Sequence, residues 1–314
     1  MSAPAHLGSP QPGFVPGADT PTAVPSITFS VVVPVYNEED TIGECLARLS
    51  AQFDRITEIV VVDNNSTDGS RAVIDAWCSA DHRVRVIGET RQGLVYARNC
   101  GLDAATGELI ARIDADTRVP PDWARTIVEF FAADDVGEWA ALCGRGEAYD
   151  VPLAGRFDRW KTRLHPLNRS RGERPVTEVP VLYGSNMVLR RATWAAIRDR
   201  VSMRRNIFED VDMGLCVGDA GGRNAFLRSL TVGVSPRRME TPMVPFVRYM
   251  SFLPRTFLLH RRFGLAAGSV AVYVPAITVA HALRLVLLRS YDSRTGRLHP
   301  RNLLRGGGPG RVLP

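Results

Sequence analysis

From residue 28 onward, short apolar runs alternate with stretches whose apolar residues recur every three or four positions. Phe29–Val35 is an almost unbroken, valine-rich run, the pattern of a strand buried on both faces. Ile42, Cys45, Leu46 and Leu49 follow at helical spacing. Glu38, Glu39 and Asp40 stand near the helix start, where carboxylates suit the dipole. The same alternation predicts strands at Ile59–Asp63, Val84–Ile87 and Leu109–Asp114. Helices are predicted over Asp68–Ala80, Leu94–Ala105 and Pro121–Ala132. Regular strand–helix alternation implies an α/β fold, with a mostly parallel sheet flanked by helices.

Beyond Trp139 the pattern loosens. Trp139–Cys143, Val179–Tyr183 and Ala225–Leu230 read as strands, and Arg156–His165 as an amphipathic helix. Glu209–Ala220 reads as a helix ended by Gly221 and Gly222. Residues 1–27 hold six prolines among small residues, without a basic start or an apolar run. They are expected to be a disordered arm and not a signal peptide. The expected organisation is that arm, an α/β domain over 28–235, an aromatic, basic and then apolar helical segment over 236–290, and a basic flexible tail over 291–314.

Charge divides the chain. Residues 237–314 carry thirteen arginines against Glu240 and Asp292, a net +11, which leaves −5 on the remainder. Such a division suggests metal handling in the body and an anionic surface near the tail. Lys161 is the sole lysine, so arginine is simply the default cation here, and no arginine is read as a phosphate clamp on identity alone. The five cysteines are scattered and odd in number, as expected of reduced thiols in the cytoplasm. The six histidines lack metal-ligand spacing and are expected to be surface or core residues.

Ligands in open α/β sheets sit beyond the carboxyl ends of the strands. Three predicted strand ends finish in acids: Asn37-Glu38, Asp63, and Asp114-Ala115-Asp116. A single such acid reads as a turn residue, because Asp63–Gly69 is turn-forming in its own right. Three in one alternating run favour a site whose repulsion a hard cation such as Mg²⁺ or Mn²⁺ offsets.

With Ser30–Glu39, Ile59–Gly69, Ala97-Arg98-Asn99 with Gly101, and Ile113–Asp116 in this order, the chain resembles the family 2 glycosyltransferases over 28–135. The resemblance extends more thinly through Gly184–Met187 and Phe208–Asp210 to about residue 235. It implies a GT-A type fold and an inverting transfer from a nucleotide-diphosphate sugar with a divalent metal. By the same resemblance, Pro34, Tyr36 and Glu38 form the first donor loop, and Asp63 contacts the base or ribose. Asp114 and Asp116 are the family's paired acids, Asp116 at the metal. Gly184, Ser185 and Asn186 form a loop near the sugar and acceptor, and Asp210 is the catalytic base. Asp212 is its rival, although two carboxylates two residues apart on a helix face different ways. The QxxRW motif of processive members is missing, so transfer of one sugar per event is expected; Arg237-Arg238 falls roughly at its place.

The acceptor is expected to be a hydroxyl on a glycan or lipid-linked glycan, with a polyprenyl phosphate as the alternative. A non-catalytic nucleotide-sugar-binding protein of the same fold is the reading from another class. A dinucleotide dehydrogenase is excluded at the first loop, where Tyr36–Asp40 offers bulk and negative charge instead of glycines. No nucleic-acid-binding module is recognised. Residues 263–283 carry no charged side chain, and the preceding segment interleaves Phe246, Tyr249, Phe252 and Phe257 with Arg248, Arg255, Arg261 and Arg262. Contact with the inner face of the cell membrane is expected, and a true span is not. A soluble helical subdomain is the competing expectation.

Overall fold

A computed structural model describes residues 27–149, 175–235, 241–292 and 297–298. The expected arm (apart from Ile27), the helix at Arg156–His165, the pair Arg237-Arg238 and nearly all of the basic tail lie outside the described residues.

The strands are β1 (Phe29–Val35), β2 (Glu58–Asp63), β3 (Val84–Gly88), β4 (Leu109–Arg112), β5 (Ala141–Ala148), β6 (Val176–Val179), β7 (Met187–Arg190) and β8 (Asn224–Val234). They form one sheet in the order β3-β2-β1-β4-β7-β5-β8-β6. The first four are parallel. β7 runs antiparallel between β4 and β5, and β6 antiparallel along β8, so the sheet is mixed.

Helices α1 (Ile42–Ser50), α2 (Ser70–Ala80), α3 (Leu94–Ala104) and α4 (Trp123–Ala132) follow the first strands as the periodicity predicts. α5 (Arg191–Ile197) and α6 (Glu209–Asp219) come later. All seven residues of β1 are buried, because the sheet is covered on both sides. Val31, Val33 and Val35 pack with Ile42, Leu46, Leu49 and Trp123. Val32 joins Val60, Val62, Leu102 and Met213 on the opposite face. α3 approaches the sheet so closely that a Cβ on Gly101 would lie 2.2 Å from Val32 Cγ1.

Two expectations change. Val179–Tyr183 is not a strand: β6 ends at Val179, and residues 180–186 leave the sheet as a loop. Pro180 cannot donate to a ladder, which explains the break. Met187–Arg190, with no predicted element, is the antiparallel strand β7.

The C-terminal segment is helical: α7 (Met243–Met250), α8 (Phe252–Leu259), α9 (Phe263–Gly268), a π-helical turn at Ser269–Tyr273, and α10 (Val274–Ser290). The continuous stretch Phe263–Val286 is long and apolar enough to cross a membrane by length and composition. Its covered positions form a single stripe. Ala266, Ser269, His281 and Leu285 are buried and Ile277 is half-buried, at near-helical spacing from one end to the other. At one end Ala266 packs near Phe257 of α8. At the other, His281 stacks on Phe246 of α7 and its Nε2 lies 2.9 Å from the Thr241 carbonyl. The helix is therefore anchored at its two ends, on α8 near Ala266 and on α7 at His281. Val270, Val272, Val279 and Leu283 face outward, continuous in kind with Val244 and Leu258.

Candidate active site

The carboxyl ends of β1, β2 and β4 reach one edge of the sheet. Val35 is level with Asp63, and Val32 with Arg112, which brings Pro34, Asp63 and Asp114 to the same rim. Asn37 turns the chain with a left-handed φ of 53°, which asparagine tolerates. The first loop is then braced against residues 63–70. The Thr67 N–H donates to Asn37 Oδ1 at 2.8 Å, the Glu38 N–H to Ser70 Oγ at 2.7 Å, and the Gly69 N–H to Glu39 Oε2 at 2.6 Å. Tyr36 stands exposed at the lip. Glu38 accepts a hydrogen bond from Thr41 Oγ1. Asp63 takes the Ser66 N–H at 3.1 Å and lies 3.9 Å from Arg71.

Deeper in, a continuous polar chain crosses the site. Arg98 of α3, almost fully buried, donates to Asp114 Oδ1 at 2.6 Å and also pairs with Glu209. Arg112 of β4, wholly buried, lies 3.5 Å from the same Glu209 oxygen and donates to the Gly184 carbonyl. The Gly184 N–H in turn donates to Asp210 Oδ2 at 2.9 Å. A Cβ on Gly184 would come within 2.6 Å of Arg112 Nη2 and 3.1 Å of Asp210 Oδ2, so a side chain here would have to displace that guanidinium or carboxylate. Asp210 Oδ1 accepts the Val211 N–H at 2.9 Å. Each Asp210 oxygen thus uses one lone pair and keeps another.

Burial first, then the neighbouring Asp116 and Asp114 carboxylates, push the Cys45 thiol beneath them well up. Cys143 is pushed up to about 12 by burial. Both thiols are neutral at pH 7, so the local charge resides in carboxylates and guanidinium groups. Asp114 and Asp116 over Cys45 supply oxygen donors without thiolate or imidazole. That set fits a hard divalent cation.

The structure joins Asp114, Gly184 and Asp210 through Arg98, Glu209 and Arg112. The motifs alone do not place the last three in the site, although an arginine inside the apolar run Leu109–Ile113 signals a buried partner. Asn186 is wholly buried. Its Oδ1 accepts from Trp123 Nε1 at 3.0 Å, and its Nδ2 donates to the carbonyls of Leu230 and Arg145, so it supports the loop from within. Ser185 is half-buried beside it. Asp212, also buried, faces away from the site toward Ser202 and His260. His260 is accordingly not an isolated residue.

The sequence model described as Glycosyl transferase family 2 matches residues 30–195, more than half of the chain. The chain belongs to this family. Glycosyltransferase GlyA of Streptococcus pneumoniae serotype 4 is 36% identical over 115 residues, 35% of this chain and 16% of the relative. The undecaprenyl-phosphate 4-deoxy-4-formamido-L-arabinose transferase of Sodalis glossinidius is 37% identical over 110 residues, 33% of this chain and 34% of the relative. The match thus spans about a third or less of the length of these curated relatives. Among solved structures, a mannosyltransferase from Pyrobaculum calidifontis in complex with GDP-Man and Mn²⁺ superposes with a TM-score of 0.57. It is 20% identical, over 88% of this chain and 78% of that one. Glucosyl-3-phosphoglycerate synthase from Mycobacterium tuberculosis in complex with phosphoglyceric acid gives 0.53 at 18% identity, over 74% and 80%. These likenesses carry the fold, the GT-A type that the motifs implied.

Proposed function

We propose that this family 2 member transfers one sugar, with inversion, from a nucleotide-diphosphate sugar to a hydroxyl of a glycan or lipid-linked glycan. The observation that carries the reading is Asp210, a carboxylate with lone pairs to spare, tied through Gly184, Arg112, Glu209 and Arg98 to Asp114.

In this reading Asp63 and Tyr36 hold the nucleoside, with Pro34 and Glu38 shaping the loop around it. Asp114 and Asp116 would hold a divalent cation, Mg²⁺ or Mn²⁺. Bound there, such an ion supplies positive charge for the departing diphosphate. Asp210 accepts the acceptor hydroxyl's proton as that oxygen bonds to the anomeric carbon and the carbon–diphosphate oxygen bond breaks, so one displacement inverts the centre. Gly184 and Ser185 border the sugar and acceptor. The relatives named above support this reading, since one solved neighbour is a complex with a nucleotide sugar and Mn²⁺. A polyprenyl-phosphate acceptor is the second reading, favoured by the outward apolar face of α9–α10. That face, flanked by Arg255, Arg261 and Arg262, also supports contact with the inner face of the cell membrane.

The test is nucleoside diphosphate release from UDP-glucose, UDP-N-acetylglucosamine and GDP-mannose with Mn²⁺. One donor is expected to be turned over, excess EDTA to abolish release, and Asp116→Asn to weaken donor binding in Mn²⁺. Full release in excess EDTA would rule out the metal-dependent reading. Tight donor binding without release, even with glycan acceptors, would identify a binding protein instead.

A further inference from the structure

The helix that presents Asp210 is held by residues from the C-terminal segment, more than forty positions away. α6 has no side-chain cap of its own at Phe208. Instead the Phe208 N–H donates to Thr256 Oγ1 at 3.0 Å, and Thr256 is wholly buried in α8. The Phe208 ring meets Tyr249 edge-on at 4.6 Å and packs beside Phe252.

Two turns of α6 are then bridged by one imidazole. His260, just past α8, has Nε2 at 2.8 Å from Asp212 Oδ1 and Nδ1 at 2.9 Å from Asp219 Oδ2. Arg262 donates to the other Asp219 oxygen at 2.6 Å, and the Ser202 N–H to the other Asp212 oxygen at 2.7 Å. Asp212 and Asp219 are seven residues apart and share a helix face. Cys216 lies with Asp212 and His260 in a cluster of metal-ligand types. Both ring nitrogens already face carboxylates, however, so the group works as a hydrogen-bonded splint. Asp210 is two residues from Asp212, on the opposite side of the same first turn.

We infer that Thr256 and His260 are positioning residues: by clamping the first turn of α6 they fix the Asp210 carboxylate against the Gly184 loop. The inference rests on the reading of Asp210 as the base. The donor loops at β1 and β2 are braced by their own hydrogen bonds and do not depend on the clamp.

The test is a double-mutant cycle in the full-length protein, with two readouts. The first is the rate of nucleoside diphosphate release, with Mn²⁺, from whichever donor among UDP-glucose, UDP-N-acetylglucosamine and GDP-mannose the native enzyme hydrolyses. The second is amide hydrogen exchange at Gly184 and Val211, whose N–H groups bind Asp210. It needs no turnover. His260→Ala is expected to lower kcat about tenfold with donor KM unchanged, and to speed exchange at both amides by a similar factor. In an Asp210→Asn background the same change should cost no further rate, because its effect passes through Asp210. His260→Gln should restore part of the loss. Thr256→Val, which removes the acceptor of the Phe208 N–H together with the hydroxyl's own hydrogen bond to the Phe252 carbonyl inside α8, gives the same readouts if His260→Ala does not fold. Unchanged exchange at Gly184 and Val211, a rate loss of equal size in the Asp210→Asn background, or kcat and donor affinity falling together would each overturn the inference. Native rates for Asp210→Asn alone would instead remove the base reading on which it rests, and that single variant tells the two failures apart.

Discussion

The first turn of α6 carries three carboxylates with three different surroundings. Glu209 faces two buried guanidinium groups, Arg98 and Arg112. Asp212 is buried between Ser202 and His260. Asp210 alone of the three is engaged by two backbone N–H groups at the rim of the site. Substituting the last two should therefore separate chemistry from stability. Asp210→Asn should cut transfer to a hydroxyl acceptor by about 10²–10⁴-fold, with stability changed by only about 1 kcal/mol. Asp212→Asn leaves a buried hydrogen-bond array mismatched and should cost about 1–3 kcal/mol, with turnover falling no further than the roughly tenfold expected when the His260 clamp is lost. Turnover and thermal melting, measured on both variants at the same temperature, check this. A dead Asp212→Asn beside an active Asp210→Asn would show that the base is Asp212 and not Asp210. With a polyprenyl-phosphate acceptor, already anionic, Asp210→Asn should be mild.

At the scale of elements, the strands are held at the end opposite the site by Glu58, at the start of β2. It accepts hydrogen bonds from Ser30 Oγ of β1, from the Thr106 N–H and hydroxyl before β4, and from Arg85 Nε of β3. Burial alone would raise its carboxyl. The hydrogen bonds from Ser30, Thr106 and Arg85 outweigh that and hold it below the usual glutamate range. A depressed folded value means that the ionised form stabilises the sheet. The contribution is complete above the unfolded value of about 4.3 and is lost as pH falls through the lower folded value. Glu58→Gln should thus melt below the native protein at pH 7, and the gap should close as the pH drops below about 4. A gap that persists unchanged to pH 3 would show that the charge of Glu58 is not the stabilising feature.

For the whole molecule, the question is what covers the outward face of the C-terminal helices. Val272 is 69% exposed and Val279 60%. A helix buried on one stripe and apolar on the other suits the plane of a membrane interface better than water. Because the helix is anchored to α8 at Ala266 and to α7 at His281, it is expected to lie in the interface and not to cross it. Full-length protein should co-sediment with vesicles containing phosphatidylglycerol, and less so as salt is raised. The double variant Val272→Asp/Val279→Asp should stay in the supernatant while still releasing nucleoside diphosphate. Equal sedimentation of the variant would exclude this face as the contact.

The alternation of the first four strands and helices is determined by the sequence alone. Strands covered on both sides must be written as continuous apolar runs, and helices covered on one side as stripes. The acids at Asp63, Asp114 and Asp116 are equally legible as strand-end residues, because the apolar runs before them fix where those strands end, and the order of motifs carries the family. Only the tertiary structure decides that Met187–Arg190 is a strand. Four apolar-leading residues before a helix have no period of their own, and it is the gap between β4 and β5 that makes them pair. The buried place of Asn186 and the inward face of Asp212 are likewise tertiary facts, since they depend on Trp123 and His260, distant in sequence. So is the Arg98–Glu209–Arg112 bridge that links Asp114, through Gly184, to Asp210. Local pattern reports which face of an element is dry. Which charged side chain meets which other is set by how the elements stack.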